Sequence, residues 1–265
     1  MAEIKKGRSI KIRAGQDSLA FLTKEADGSR AFHPYQIKTG MSVAANLREA
    51  FRTEEYLRDG IDYAELMVTT PVILLPVDEY DNLDEELTTE DLYSSVMTGH
   101  KGEEKIVRPM DDFDAVGIFT VNSDLHMVVT DNCKDVAVHN VIYPVWQHFY
   151  NRYYQSGQRR KLFAYFHDKS VDVCQFEHGR VRFANTFDAT HAHDALYYIL
   201  FAWKQLGMNQ AEDDLFIIGA MPHEQWLRGR LATYVTRIHD INVSASLNRS
   251  PLAEIEGMPF DMMIE

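Results

Sequence analysis

Two short stretches carry residue types that handle phosphate. The first is Ala14-Gly15-Gln16-Asp17-Ser18. The second is Tyr165-Phe166-His167-Asp168-Lys169-Ser170-Val171-Asp172-Val173. Each joins apolar runs through a turn that holds an aspartate, Asp17 or Asp168. In a phosphate-binding hairpin, glycine lets backbone N–H groups approach the anion, and a nearby aspartate orients a metal ion or water. Here the pattern is half kept. The first turn has one glycine, Gly15. The second has Lys169 and Ser170 where glycines would stand, and their Cβ atoms would obstruct a phosphate. Gly219-Ala220-Met221-Pro222 follows a buried apolar run and offers one glycine where an adenosine-binding turn has a pair. Gly15, Asp17, Asp168, Ser170 and Gly219 are therefore the candidate ligand residues, expected around an interdomain cleft. No catalytic residue, metal ligand or cofactor is assigned.

Other clusters point to less. His191 and His193 are two apart at a helix start, which does not put both rings on one helical face, and no Cys or carboxylate spacing completes a zinc site. Asp111-Asp112-Phe113-Asp114 lacks the glycine and terminal glutamate of a calcium loop and reads as a hairpin turn. There is no P-loop, GxSxG, HExxH or dinucleotide fingerprint. The net charge of −13 repels phosphate backbones and argues against nucleic-acid binding. Arg159-Arg160-Lys161 is the one basic cluster and reads as a solvated linker rather than a phosphate contact. Two cysteines in 265 residues, far apart, suggest a reducing compartment. Residues 1–13 are charged, with no apolar run of signal-peptide length, and no window approaches a membrane span. The expectation is a soluble, cytoplasmic protein.

These residues need elements to position them. Residues 9–14, 18–24 and 30–38 read as three strands, with a hairpin at Asp27-Gly28 and Pro34 marking the last as an edge or broken strand. Ser42 can cap a helix whose apolar face is Val43, Leu47, Ala50, Phe51 and Leu57, with Gly60 at its end. Residues 65–75 read as one buried strand, and 84–96 as a weaker helix. Residues 105–110 and 115–121 form a hairpin, Ser123 caps a helix running through Asp131, and 136–139 is a short strand. Residues 141–154 form a helix loaded with Tyr143, Trp146, Phe149, Tyr150, Tyr153 and Tyr154, either core packing or a partner surface. After a polar break at 155–160 come strands 162–167, 171–176 and 180–187 and a long apolar helix over 192–206. A buried strand at 214–219, a helix at 222–234, a last strand at 241–246 and an irregular surface tail follow.

The order of elements before Gln155 matches the order after it, at an offset of about 150 residues, the signature of internal duplication. Residue identity between the halves is poor, so order and spacing carry the reading. Three antiparallel strands followed by alternating helices and strands form the ribonuclease H-like unit, and two copies form the actin-like ATPase architecture. The predicted fold is therefore α/β, with two RNase H-like subdomains at 1–155 and 156–265. A nuclease of this fold needs an acid on its first strand for a two-metal site, and neither 9–14 nor 162–167 carries one.

Three segments resemble a family from Bacteroidetes-type bacteria to which no function is attached: residues 42–51 (SVAANLREAF), 68–80 (VTTPVILLPVDEY) and 181–207 (VRFANTFDATHAHDALYYILFAWKQLG). The resemblance spans nearly the whole chain, and the LYYILF run is its most specific part. It implies a duplicated RNase H-like, actin-like ATPase fold, distantly similar to a pilus-assembly ATPase homologue, and it carries over no catalytic residue. The expected function is a non-catalytic cytoplasmic binding or scaffold protein with degraded nucleotide motifs. It would use an unidentified protein partner or a second copy of itself. The alternative is a nucleotide-binding ATPase or phosphotransferase using Asp17 and Asp168 near the phosphates and Gly219 at the adenine.

Overall fold

The computed structural model describes residues 7–58, 60–83, 89–100, 102–154 and 157–264. Strands β1 (Ser9–Ala14), β2 (Leu19–Lys24) and β3 (Arg30–Tyr35) form an antiparallel meander. Helix α1 (Val43–Thr53) crosses back to β4 (Tyr63–Val68), which lies parallel to β1 with Ile12 opposite Leu66. Ser42 caps α1 as expected, its hydroxyl accepting from the Ala45 N–H at 3.2 Å. The helix ends at Thr53, where the Glu54 N–H closes on the Ala50 carbonyl, and not at Gly60.

The apolar run at 65–75 is two strands in two sheets. β4 stops at Val68, and β5 (Ile73–Pro76) starts a separate three-stranded sheet. Pro71 supplies the break because it cannot donate to a ladder and restricts the residue before it. Helices α2 (Val77–Asp81) and α3 (Thr89–Val96) follow; the expected helical residues 84–88 lie outside the described residues. β6 (Glu104–Met110) and β7 (Ala115–Val121) complete the small sheet in the order β5-β7-β6. Helix α4 (Ser123–Asn132) is capped by Asn122 rather than Ser123, and β8 (Val136–Asn140) joins the first sheet parallel to β4.

Helix α5 (Ile142–Phe149) continues as a wider π turn over Tyr150–Tyr154. The second meander is β9 (Lys161–His167), β10 (Ser170–Glu177) and β11 (Arg180–Asp188). Helix α6 (Ala192–Gln205), β12 (Asp214–Gly219), α7 (Glu224–Leu231) and β13 (Ile238–Asp240) follow. The two large sheets have the same order, β3-β2-β1-β4-β8 and β11-β10-β9-β12-β13. The chain is thus two RNase H-like units, the first carrying the three-stranded sheet as an insertion. That insertion is why the offset of about 150 holds from β1/β9 to β4/β12 but not to β8/β13. The proposed boundary at 155/156 falls outside the described residues.

The aromatic helix is spent inside the molecule. Phe149 stacks on Phe163 at 4.9 Å, Tyr153 meets Phe216 and Tyr150 meets Phe176, both at 5.4 Å, so α5 is the wedge between the first unit and the second sheet. The apolar surplus on α6 faces outward instead, with Tyr197 61% and Phe201 41% exposed.

The C-terminal segment departs most from expectation. The predicted strand at 241–246 is a helical turn, α8 (Val243–Ser246), because the Asn242 side chain accepts from the Ala245 N–H. The tail then returns to the first unit. Leu252, Met258, Met262 and Met263 bury against Ala20 and Leu22 of β2, and Phe260 and Asp261 of α9 (Phe260–Met263) are buried too. It is core, not surface trim; each large apolar side chain so buried contributes about 1.5–3 kcal/mol. Among the described residues no helix is long and apolar enough to cross a membrane.

Candidate functional site

The two first hairpins, β1–β2 and β9–β10, meet head to head. The Ser18 hydroxyl donates to Asp168 Oδ1 at 2.5 Å, and the Lys169 ammonium donates to Asp17 Oδ2 at 2.8 Å. Gly15 explains how they come so close. A Cβ on it would stand 2.3 Å from the Ser18 hydroxyl and 2.6 Å from Asp168 Oδ1, so only glycine leaves room. Asp168 and Lys169 both adopt the left-handed conformation, at φ 43° and 62°, making the tight turn that glycine usually makes. The room that Gly15 leaves is filled by a carboxylate of the same chain.

Behind the hairpins lies a buried polar network. Arg13, 3% exposed, donates through Nε to both oxygens of Asp261 at 2.9 and 3.0 Å, and pairs with Asp168 Oδ2 at 2.6 Å. The Tyr165 hydroxyl donates to Asp261 at 2.8 Å. His167 lies between Asp168, at 3.2 Å, and Asp172, which also takes a hydrogen bond from the Thr186 hydroxyl. Burial opposes charge on His167, but Asp172 and Asp168 outweigh it and raise the imidazolium to about 9. Burial also works against the Asp168 carboxylate, yet hydrogen bonds from His167, Arg13 and Ser18 hold it far below the usual range. Burial and Asp261 together keep the Tyr165 phenol protonated.

Beside the hairpins a cleft of about 480 Å³ opens into the first unit. Its walls are the Gly15 turn, the N-terminal ends of α1 and α4, the loop after β4 through Thr69 and Thr70, and Asp168, Ser170 and Thr186 from the second sheet. Glu103 projects into it, bonded to His100 at 2.8 Å and to the Thr120 hydroxyl at 2.6 Å. The lining holds the acids Glu103, Asp124 and Asp168 and, among the described residues, no lysine or arginine. Of the residues singled out from the sequence, Gly15, Asp168 and Ser170 line this cleft. Asp17 faces solvent beside Lys169, and Gly219 lies away from the lining. Gly219, at φ 97°, abuts β9, where a Cβ would stand 2.0 Å from the Phe166 carbonyl oxygen. His167 and Asp172 stand in the second phosphate-type stretch but were given no role, and Arg13 and Asp261 were missed. The available signal was Asp261 itself, an acid inside Met258-Pro259-Phe260-Asp261-Met262-Met263-Ile264, where a charge is kept only by a partner. Among the described residues there is no cluster of three or more His, Cys, Asp or Glu able to hold a metal ion.

Two sheets of the same strand order, each opening on a three-stranded meander, give the chain the actin-like ATPase fold. Residues 2–238 match the family described as "Protein of unknown function (DUF3822)", and the chain belongs to that family. A protein of Bacteroides thetaiotaomicron, described as having an actin-like ATPase fold and unknown function, superposes with a TM-score of 0.81 at 20% identity. The match covers 97% of this chain and all of that one. A structure described as a PilM-PilN type IV pilus biogenesis complex superposes with a TM-score of 0.55 at 9% identity, covering 90% of this chain and 89% of that one. No curated protein matches.

Proposed function

We propose that this protein is a non-catalytic, cytoplasmic binding or scaffold module that retains the actin-like architecture, with 1–155 and 156–265 as its two halves, and has closed the phosphate site. The observation that carries this reading is the direct bonding of the two hairpins, Ser18 to Asp168 and Lys169 to Asp17. In an actin-like ATPase those turns face one another across the nucleotide phosphates. Here the Asp168 carboxylate, neutralised by Arg13, stands against Gly15 in the place of an anion. The acid-rich lining of the adjoining cleft further disfavours a triphosphate. A scaffold role is in keeping with the structural similarity to a PilM-PilN type IV pilus biogenesis complex.

A thermal-shift titration with Mg-ATP tests the reading. No saturable rise in melting temperature is expected. A real binder would stabilise by about 2.7 kcal/mol at a hundredfold excess over its Kd, and such a response would overturn the proposal.

One observation favours nucleotide binding as the second reading. The N-terminal ends of α1 and α4, whose first N–H groups carry partial positive charge, both border the cleft. That reading requires measurable nucleotide turnover that falls in Asp168→Ala; turnover unchanged by the substitution would remove Asp168 from any such role.

A further inference from the structure

A second cavity lies on the other face of the first sheet. Lys11 of β1, Glu65 and Met67 of β4 and His139 of β8 point into it, while α1 and α4 cover the opposite face. Strands β6 and β7 of the small sheet roof it, and α5 and α9 close its sides. Its volume is about 330 Å³, at the small end of the roughly 300–1,000 Å³ typical of ligand pockets.

Its chemistry differs from that of the interdomain cleft. Part of its lining is apolar: Met67, Pro109, Phe119 and Pro144. The lining also holds two basic groups, Lys11 and Arg108, in a chain whose net charge is −13. Arg108 has no carboxylate partner among the described residues; its guanidinium makes one long hydrogen bond, 3.4 Å to the Val138 carbonyl. Lys11 donates to the Ile264 carbonyl at 3.2 Å and stands 3.7 Å from Glu65. Asp261 also lines the cavity, but Arg13 and Tyr165 already engage its oxygens. Among the described lining residues, two cations against the one remaining carboxylate, Glu65, leave a single uncompensated positive charge. His139 adds a neutral ring, because burial lowers its pKa and Arg108 and Lys11 reinforce this against Glu65.

We infer that this cavity binds a small monocarboxylate with an apolar body, its carboxylate on the free fork of Arg108 beside Lys11 and its hydrocarbon against Met67, Pro109, Phe119 and Pro144. A guanidinium fork matches a carboxylate bidentately. One spare positive charge suits a monoanion. A dianion would carry excess charge towards Glu65 and Asp261.

The probes are sodium octanoate below its micelle concentration, octyl phosphate and 1-octanol, added to the full chain. Binding is read by calorimetry and by the His139 ring signals in NMR. Octanoate is expected to saturate and shift His139, and octyl phosphate and octanol to bind more weakly. Arg108→Gln, at an exposed position, is expected to weaken octanoate about tenfold or more and leave octanol unchanged. Lys11→Gln provides the second variant and is expected to act in the same direction. The inference is overturned if octanoate does not saturate, if His139 stays silent while it does, or if both variants bind it as the native chain does. Tighter binding of octyl phosphate would overturn the monocarboxylate class. None of these outcomes depends on whether nucleotide binds the interdomain cleft.

Discussion

Arg13 Nε donates to both carboxylate oxygens of Asp261, at 2.9 and 3.0 Å, across 248 positions of sequence. The pair is buried, Asp261 completely, and Tyr165 donates to the same carboxylate. It ties the last helical turn to the first strand and to the first strand of the second sheet. Removing Asp261 leaves Arg13 with Asp168 as its one carboxylate and the Tyr165 hydroxyl without its acceptor, at about 3 kcal/mol. Asp261→Ala is therefore expected to lower unfolding stability in urea by that amount. A loss under about 1 kcal/mol would mean that water reaches Arg13 and that the tail is not core.

Stability should peak near neutral pH for reasons that can be traced to two histidines. Burial disfavours the His167 imidazolium, but Asp172 and Asp168 raise it to about 9, above the usual value near 6.5. The folded state thus holds this proton more tightly than the unfolded one. Its stabilisation, roughly 3 kcal/mol at most, is complete below about 6.5 and is lost as pH rises towards 9. His148 behaves oppositely: burial, helped by Arg152, lowers it to about 4. Its neutral form favours the fold, and that contribution fades as pH falls from about 6.5 towards 4. Urea midpoints measured against pH should fall on both sides of about 6.5. His167→Gln should flatten the alkaline limb alone; a limb unchanged by it would assign the loss to another group.

Gly219→Ala tests whether this glycine serves packing. The added Cβ would fall 2.0 Å from the Phe166 carbonyl oxygen, within the paired β9 and β12 strands, at φ 97°. Backbone cannot yield as a side-chain tip does, and that φ disfavours any L side chain. The variant is expected to lose more than about 2 kcal/mol of stability. Retention of the native melting temperature would return Gly219 to the list of residues available to a ligand.

The meanders, α1, α6 and the repeated order were legible because each rests on a local signal. Strand alternation, the Asp27-Gly28 turn and the Ser42 cap all act within a few residues. The tail was not legible, since nothing near Met258 or Met262 says that β2 lies beneath them. Asn242 overrode the apolar alternation of 241–246 by capping a helical turn instead. At the candidate site the hairpins were found from their aspartates. What Asp168 touches depends on Arg13 and Ser18, residues brought to it by the duplicated topology rather than by spacing.

Three pairs join the hairpins, Lys169 with Asp17 and both Ser18 and Arg13 with Asp168, and the exposed one should be much the weaker. Lys169 and Asp17 pair at 2.8 Å, but their side chains are 60% and 67% exposed, and water competes for both. Asp168 is nearly buried and accepts from Arg13, Ser18 and His167 at once. Lys169→Gly removes the exposed pair while relieving a left-handed backbone at φ 62°, so its unfolding midpoint should stay close to that of the native chain. Asp168→Ala leaves Ser18 without its acceptor and Arg13 with one carboxylate in place of two, and should cost about 3 kcal/mol. If the two variants proved equally destabilised, the hairpins would be held by the solvent-facing pair, and the buried carboxylate would not be what closes the phosphate site.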